Sequence, residues 1–248
     1  MSQRIAVPDG GPLFEGHFPG RPILPGVTEL ILVARALGGG DVTDVLHARF
    51  RELVGPGDLL DLGTTPAGDG ATRFELRRAG ALVANGSLRF GTPTPNDRPE
   101  MSHAARTPRG VPPLVELLPH RPPMLFIHRV LGEADDGATC LARIPEACGL
   151  VTEGRAPALV ALEVAAQTAA AWEALRRRRE TTSGAPKIGY LVSARDVAFH
   201  RATLPPEADL IASIRLEALA PPLATYAVEL AFEGELAMRG TIGTYLSG

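Results

Sequence analysis

The pattern of apolar and polar residues in the first 91 positions predicts one helix followed by an antiparallel meander. The helix is indicated by the apolar run VTELILVARAL, which follows Pro25-Gly26 and stops at three consecutive glycines. Residues 3–8 form a short strand-like run ahead of the helix. Four further strand-like runs are separated by glycine-containing turns and lie near Val42–Leu53, Leu59–Thr65, Thr72–Arg78 and Leu82–Phe90. This order suits a sheet that wraps around a central helix.

The rest of the chain repeats this order with a longer helix. The run from Pro157, PALVALEVAAQTAAAWEALRRRR, predicts a helix with proline in its first turn and arginines at its end, where the helix dipole favours cations. Strands are predicted near Gly137–Ile144, Ile188–Phe199, Asp209–Glu217, Ala224–Phe232 and Leu236–Leu246. Residues 92–111 are rich in proline and lack hydrophobic periodicity, so we expect a surface linker between domains at 1–91 and 112–248.

Composition narrows the class of protein. A chain of 248 residues with 45% hydrophobic content can bury a substantial core, and a net charge of −3 argues against general nucleic-acid binding. The two cysteines, Cys140 and Cys148, are eight residues apart without a CxxC motif, so we expect reduced thiols and no metal site. No signal peptide or long apolar span is recognisable, which favours a soluble cytoplasmic enzyme that does not bind membranes.

Two ionisable residues stand out because of their surroundings. His17 lies in FEGHFPGRPILPGV, where glycine and proline restrict the backbone just before the first helix. A histidine beside the free N–H groups of a helix N-terminus suits acid/base chemistry on a carbonyl compound, although a lone histidine in a loop more often makes a structural hydrogen bond only. Glu163 is the single acid in the alanine-rich run Ala156–Ala171. If Glu163 is buried, its pKa should rise and the protonated carboxyl could act as a general acid; the alternative is a glutamate on an exposed helix face.

Both residues lie in motifs that resemble one family. HFPGxPxxPGV, within Gly16–Val27, is similar to the signature of FabZ-type 3-hydroxyacyl-acyl-carrier-protein dehydratases, which have the hotdog fold. LPHRPPML at 118–125 and LExxAQ at 162–167 resemble the first segment and the central helix of the same family. The resemblance implies an α+β double hotdog, in which two hotdog folds in one chain form a pseudo-dimer with a continuous antiparallel sheet and two central helices.

The two halves depart from the family pattern in complementary ways. In the family, an acid on the central helix follows the histidine by fourteen residues, but this chain has Ile31 there, and its nearest acid, Glu29, is on another face of the helix. Fourteen residues before Glu163, the chain has Gly149 where the family has histidine. Dimers of the family build each site across the subunit interface. The resemblance therefore implies one working site, His17 with Glu163, and one dead site, Gly149 with Ile31.

The resemblance also implies a reaction. A 3-hydroxyacyl thioester carried on acyl carrier protein would lose water to give the trans-2-enoyl thioester, with His17 as the base and Glu163 as the acid. The N–H of Gly26 would bind the thioester carbonyl. The other substrate-binding residues are expected to be Phe18, Gly20 and Gln167, of which Gln167 would also hold Glu163 in place. We expect no cofactor and no metal.

A narrower resemblance concerns the pathway. Residues 1–91 look like ApeI-like proteins and residues 112–248 look like ApeP-like proteins, the hotdog pair of aryl polyene biosynthesis. For such an acyl chain, an apolar tunnel is expected between the two central helices, beside the small side chains of Ala165, Ala166, Ala169 and Ala170.

Several alternatives stay open at this point. The chain could instead be a hotdog thioesterase or a non-catalytic acyl-binding module. The sequence does not define the acyl chain length, the choice between carrier protein and coenzyme A, or further homo-oligomerisation. His120 is expected to pack or hydrogen-bond in its loop, and Arg21, Arg35 and Arg176–Arg179 either face solvent or dock the carrier protein.

Overall fold

The computed structural model describes residues 2–95, 98–101, 110–180 and 188–247. The α-helices in these residues are α1 (Gly26–Ala36), α2 (Leu114–Leu117) and α3 (Val160–Glu180). The strands before α2 are β1 (Ser2–Ala6), β2 (Val42–Phe50), β3 (Leu59–Pro66), β4 (Ala71–Arg78) and β5 (Ala81–Phe90), with a 3₁₀ turn at Gly68–Gly70. The strands after α2 are β6 (Ile127–Ala134), β7 (Gly137–Ala142), β8 (Ala156–Pro157), β9 (Gly189–Phe199), β10 (Thr203–Leu204), β11 (Leu210–Ala220), β12 (Leu223–Phe232) and β13 (Glu235–Leu246).

One antiparallel sheet runs through both halves of the chain. In the described residues it has eleven strands, in the order β1-β3-β4-β5-β2-β9-β13-β12-β11-β7-β6. The halves meet at the pair of β2 and β9, where Val45 lies opposite Val197 and Ala48 lies opposite Ala194. Because this ladder of backbone hydrogen bonds crosses from one half to the other, the predicted double hotdog with a continuous sheet is confirmed.

The central helices are anchored by their apolar side chains. In α1, Val27, Leu30 and Val33 recur at helical spacing and are fully buried. The helix ends where the N–H of Gly39 donates to the carbonyl of Ala34 at 3.0 Å, in a turn that needs the positive φ of glycine. Helix α3 rests on β6, β7, β9 and β11–β13 and also contacts α1. The two helices therefore belong to one continuous core, which allows side chains from both halves to meet.

The predicted start of the long helix is wrong by three residues. Pro157 does not lie in the first turn of α3 but in β8, which pairs with β10. A residue with a fixed φ and no N–H fits an extended edge as well as a first helical turn, so the sequence could not distinguish the two. Since α3 begins at Val160, Glu163 lies in its first turn, where the positive end of the helix dipole stabilises a negative charge.

The predicted linker can be compared with the structure only in part. Residues 92–95, 98–101 and 110–111 contain no helix or strand, and residues 96, 97 and 102–109 lie outside the described residues. The domain boundaries at 91 and 112 therefore stay a prediction. None of the helices in the described ranges has the length and apolar character needed to cross a membrane.

Candidate active site

The loop that carries His17 is fixed against the second half of the chain. Gly16 has a φ of +81°, and a Cβ atom on it would lie 2.1 Å from the carbonyl oxygen of Arg121. The N–H of Arg121 in turn donates to the carbonyl of Gly16 at 2.9 Å. Only glycine permits both this backbone conformation and this close approach. The contact brings the histidine loop of the first half against the LPHR segment of the second half.

His17 is buried and held in one orientation. Its side chain is 6% exposed, and its Nδ1 lies 2.8 Å from the carbonyl oxygen of Ile23. Because a carbonyl oxygen can only accept, Nδ1 carries the hydrogen, and the lone pair of the neutral ring is on Nε2. The ring of Phe18 covers His17, with 4.0 Å between the ring centroids. Burial lowers the pKa of His17 to about 4, although the negative charge of Glu163 acts in the opposite direction. At neutral pH, His17 is therefore an uncharged base.

Glu163 is held by two donors at the start of α3. Its Oε1 lies 3.2 Å from Nε2 of His120 and accepts a hydrogen bond from Nε2 of Gln167 at 3.0 Å. Gln167 is itself fixed, since it also donates to the carbonyl of Met124 and accepts from the N–H of Phe126, both at 2.8 Å. Gln167 does not line the cavity, so it positions Glu163 instead of touching a ligand.

The expected protonation of Glu163 is wrong. Burial alone raises the pKa of this carboxyl, as the sequence suggested. The hydrogen bond and charge of His120 oppose burial, and His17 and Gln167 add to the opposition, so that the pKa of Glu163 falls to about 2. The free site therefore holds a carboxylate at neutral pH and not a carboxylic acid.

His120 is the site residue that sequence reasoning placed wrongly. It is 4% exposed, and its ring centroid lies 5.3 Å from that of His17. One nitrogen or oxygen of each of His17, His120 and Glu163 lies within 4.8 Å of the other two. The signal that could have identified His120 is its setting in HRPP, since a proline-bounded histidine is the same feature that singled out His17.

The three polar side chains could each offer one ligand atom to a metal ion. A metal bound there would have to break the contact between His120 and Glu163, and it would compete with the proton that His120 shares with the carboxylate. These hydrogen bonds describe a site arranged for moving protons.

The cavity around His17 and Glu163 contains some of the expected binding residues. Phe18 and Gly26 line it, and Gly26 is the first residue of α1, so its N–H has no partner within the helix. A Cβ atom on Gly26 would lie 3.3 Å from the ring of Phe50, so a side chain at this position would crowd that ring. Gly20 is a correction: it lies on an exposed turn with a φ of +83°, outside the cavity lining, where its role is to permit the turn.

An apolar channel continues from this cavity, along a different wall from the one expected. Ala166, Ala170, Tyr190 and Leu191 line both the His17 cavity and the next cavity along α3. The further cavity has Ala169, Glu173, Arg176 and Arg177 of α3 on one side. On the other side it has residues of β12, β13 and the turn before β12, namely Pro221, Pro222, Leu223, Ala224, Thr244 and Leu246. The His17 cavity is thus lined by both central helices, as expected, whereas the further cavity lies between α3 and the sheet, and Ala165 lines neither cavity.

The second half-site lacks the acid and the histidine of the family pattern, because Ile31 and Gly149 occupy their positions. Ile31 lines a separate cavity together with Ala158 and Leu159, and Glu163 does not line that cavity. At Gly149, a Cβ atom would lie 2.4 Å from the backbone of Pro12, so this position has no room for any side chain. Positions 31 and 149 therefore supply neither the acid nor the histidine of the family pattern.

Comparison with known families finds the same two parts. The ApeP-like family model, described as ApeP dehydratase, matches residues 112–247, which is more than half of the chain. The ApeI-like model, described as ApeI dehydratase, matches residues 1–87.

Curated relatives include 3-hydroxyacyl-[acyl-carrier-protein] dehydratases named FabZ. The protein from Syntrophotalea carbinolica is 46% identical over a segment that covers 21% of this chain and 44% of that protein. The protein from Haemophilus influenzae (strain PittEE) is 36% identical over 31% of this chain and 60% of that protein. The chain thus spans about half the length of the curated relatives it matches.

Solved structures show the same fold at low identity. The dehydratase heterocomplex ApeI:P from Xenorhabdus doucetiae is 21% identical, with a TM-score of 0.51 over 55% of this chain and 92% of that chain. The dehydratase domain of PpsC from Mycobacterium tuberculosis is 14% identical, with a TM-score of 0.70 over 99% of this chain and 93% of that chain. The chain therefore belongs to the ApeP-like dehydratase family, and together with its ApeI-like first part it is a FabZ-type fusion of two hotdog dehydratase units.

Proposed function

We propose that this protein removes water from a 3-hydroxyacyl thioester on acyl carrier protein and releases the trans-2-enoyl thioester. The observation that carries the proposal is the meeting of His17 and Glu163, one from each half, in a single cavity that Gly26, the first residue of α1, also lines. The membership in a dehydratase family and the FabZ relatives support the same reaction.

The first step forms an enolate. With the thioester carbonyl on the N–H of Gly26, the neutral Nε2 of His17 takes a proton from Cα, and the electron pair of the C–H bond moves into the carbonyl group. The helix N-terminus stabilises the negative charge that develops on the oxygen. His17 suits this step because its low pKa keeps it unprotonated in the free enzyme.

The second step expels the hydroxyl group. The Glu163 carboxylate accepts a hydrogen bond from the β-hydroxyl. It also receives the proton that His17 has just gained, because the polar atoms of His17 and Glu163 lie within 4.8 Å of each other. As a carboxylic acid, Glu163 then protonates the departing oxygen, the Cβ–O bond breaks, and the enolate electrons form the Cα–Cβ double bond. The proton taken from Cα thus leaves in the water molecule, and both catalytic groups return to their starting state. In this scheme, His120 and Gln167 hold the carboxylate in place before and after it carries the proton.

The channel along α3 supports an apolar acyl tail. Alanine side chains at 166, 169 and 170 leave space beside the sheet, and the tail would follow them away from the reacting carbons. We propose an acyl chain of the aryl polyene or fatty-acid type, because the lining of the channel is mostly apolar, with Glu173, Arg176 and Arg177 as its charged residues.

The test is to incubate the protein with 3-hydroxyacyl-acyl-carrier-protein and to follow the intact carrier protein by mass spectrometry. The proposal predicts the loss of one water from the carrier-bound acyl group, before and after treatment of the protein with a metal chelator. Release of the free acid would indicate a thioesterase, and an unchanged but retained acyl carrier protein would indicate a binding module. Either result would overturn the proposal.

A further inference from the structure

Glu29 is a buried glutamate of the active-site cavity that the proposed reaction does not use. It is 2% exposed on α1, and it lines the same cavity as His17 and Glu163. Its Oε2 is buried and has no hydrogen-bond partner among the described residues. A buried carboxyl oxygen without a partner is costly, so a position of this kind points to a group that is supplied from outside.

The other buried glutamates among the described residues all have hydrogen-bond donors, in contrast to Oε2 of Glu29. Glu163 is held by His120 and Gln167. Glu173 accepts from the hydroxyl of Tyr226 at 2.6 Å, and Glu229 accepts from Arg239 at 2.8 Å.

The charges near Glu29 do not satisfy it. Arg78 acts on Glu29 only at a distance, because its guanidinium is bound by the carbonyl of Leu53 and the carboxylate of Asp58. Burial raises the pKa of Glu29 well above the ordinary range, and the charge of Arg78 only partly opposes this effect. Burial thus favours the protonated form of Glu29, and a protonated carboxyl group can both donate and accept a hydrogen bond.

The position of Glu29 along the cavity indicates which part of a substrate it meets. Glu29 follows Gly26 by three residues, so both lie on one face of α1, about one turn or roughly 5 Å apart. The channel leads away from the site along α3, and Phe50, Glu52 and Leu53 line the His17 cavity but not the further one, so we take them as its other end. Leu53 is 41% exposed, so this end reaches the surface.

A thioester bound in this direction has its carrier arm beside Glu29. The acyl tail occupies the channel, and the sulfur side passes Gly26 towards the surface. The arm of both acyl carrier protein and coenzyme A bears an amide two methylene groups beyond the sulfur, which is also roughly 5 Å from the thioester carbonyl. We propose that the carboxyl group of Glu29 hydrogen-bonds this amide and so places the thioester carbonyl on the N–H of Gly26. This inference rests on the proposed function and deepens it, with Glu29 as a positioning residue.

The experiment compares two short substrates with two variants. One substrate is the N-acetylcysteamine thioester of 3-hydroxybutyrate, which keeps the amide, and the other is the S-pentyl thioester, which replaces the amide by a chain of equal length. Glu29→Leu removes the polar group at similar volume, and Glu29→Gln keeps a group that donates and accepts. Glu29→Leu should raise KM for the amide substrate roughly tenfold with little change in kcat, because one buried hydrogen bond is lost.

The controls distinguish a hydrogen bond from Glu29 to the substrate amide from a change in the packing of the cavity. Glu29→Leu should leave KM for the S-pentyl thioester unchanged, and Glu29→Gln should keep KM for the amide substrate near that of the unmodified protein. An equal rise of KM for both thioesters, or no rise for either, would overturn the inference.

Two further measurements keep the inference testable if a variant does not fold or if no reaction is observed. If Glu29→Leu does not fold, the unmodified protein must itself prefer the amide substrate by roughly tenfold in KM, and equal KM values would overturn the inference. An unmodified protein that dehydrates neither thioester, nor 3-hydroxyacyl-acyl-carrier-protein, would refute the proposed function instead.

Discussion

The protein should still catalyse dehydration at a pH where a histidine of ordinary pKa is already protonated. The perturbation is the pH itself, and the responding group is His17, whose pKa burial lowers to about 4. A base acts only in its deprotonated form, so activity is present above this pKa and is lost as the pH falls through it. The acid limb of kcat/KM should therefore lie near pH 4.

The size of the effect follows from the two pKa values. At pH 5, an imidazole with the ordinary pKa of about 6.5 is roughly 3% neutral, and one with a pKa of about 4 is roughly 90% neutral. The buried base should thus be about thirty times more active at pH 5 than an exposed histidine would be. Glu163 does not obscure this limb, because its pKa of about 2 keeps it ionised throughout.

The assay is the kcat/KM profile of the purified protein from about pH 3.5 to pH 8, measured by ultraviolet absorbance of the enoyl thioester from a short substrate. Circular dichroism at each pH separates loss of activity from unfolding. His128→Asn changes an exposed histidine and should leave the limb in place. A limb with its midpoint near 6.5 in the folded protein would refute the reasoning, because it would mean that the catalytic base is not the desolvated His17.

Other substitutions test separate parts of the account. Ala169→Leu should raise KM roughly tenfold for long acyl chains and leave a four-carbon substrate unaffected, since Ala169 lines the further cavity but not the His17 cavity; equal KM changes for both substrates would contradict the channel. His120→Ala should raise the pKa of Glu163 and lower kcat by roughly ten- to a hundredfold, because a charge-assisted hydrogen bond is lost; an unchanged kcat would show that His120 is not needed. Gly149→Ala should lower the melting temperature by several degrees, because its Cβ meets backbone at 2.4 Å. The control Gly10→Ala, with nothing within 4 Å, should be nearly silent, and equal melting temperatures for the two variants would contradict the packing argument.

Local patterns were sufficient to predict most of the fold. The helix from Gly26 and the strands after it are apolar runs bounded by glycine. Such runs predict secondary structure without any knowledge of tertiary contacts. The start of α3 was not predictable in this way, because Pro157 fits an extended edge and a helix equally well. That choice depends on the pairing of β8 with β10, which is a tertiary contact.

The pairing of His17 with Glu163 could be inferred from spacing and resemblance, but the state of Glu163 could not. Its ionisation depends on His120, a residue 43 positions earlier that only the folded chain brings within 3.2 Å. A sequence shows that a carboxyl will be buried, which alone would keep it protonated. It does not show the donor that reverses the outcome. In the same way, the period of the helix predicts that Glu29 lies on a different face of α1 from position 31. It does not predict that this face lines the cavity of His17 and Glu163.

The central claim, one site divided between the two halves, is tested most directly by the rates of His17→Ala, Glu163→Gln and the double variant. Each single substitution should lower kcat/KM by roughly 10² to 10⁴ while the protein stays folded. The double variant should be little worse than either single variant, because the two groups act as one unit. An equimolar mixture of the two single variants should stay inactive, since both residues come from the same chain. A Glu163→Gln protein with full activity, a double variant whose losses multiply, or a mixture that regains activity would contradict the claim.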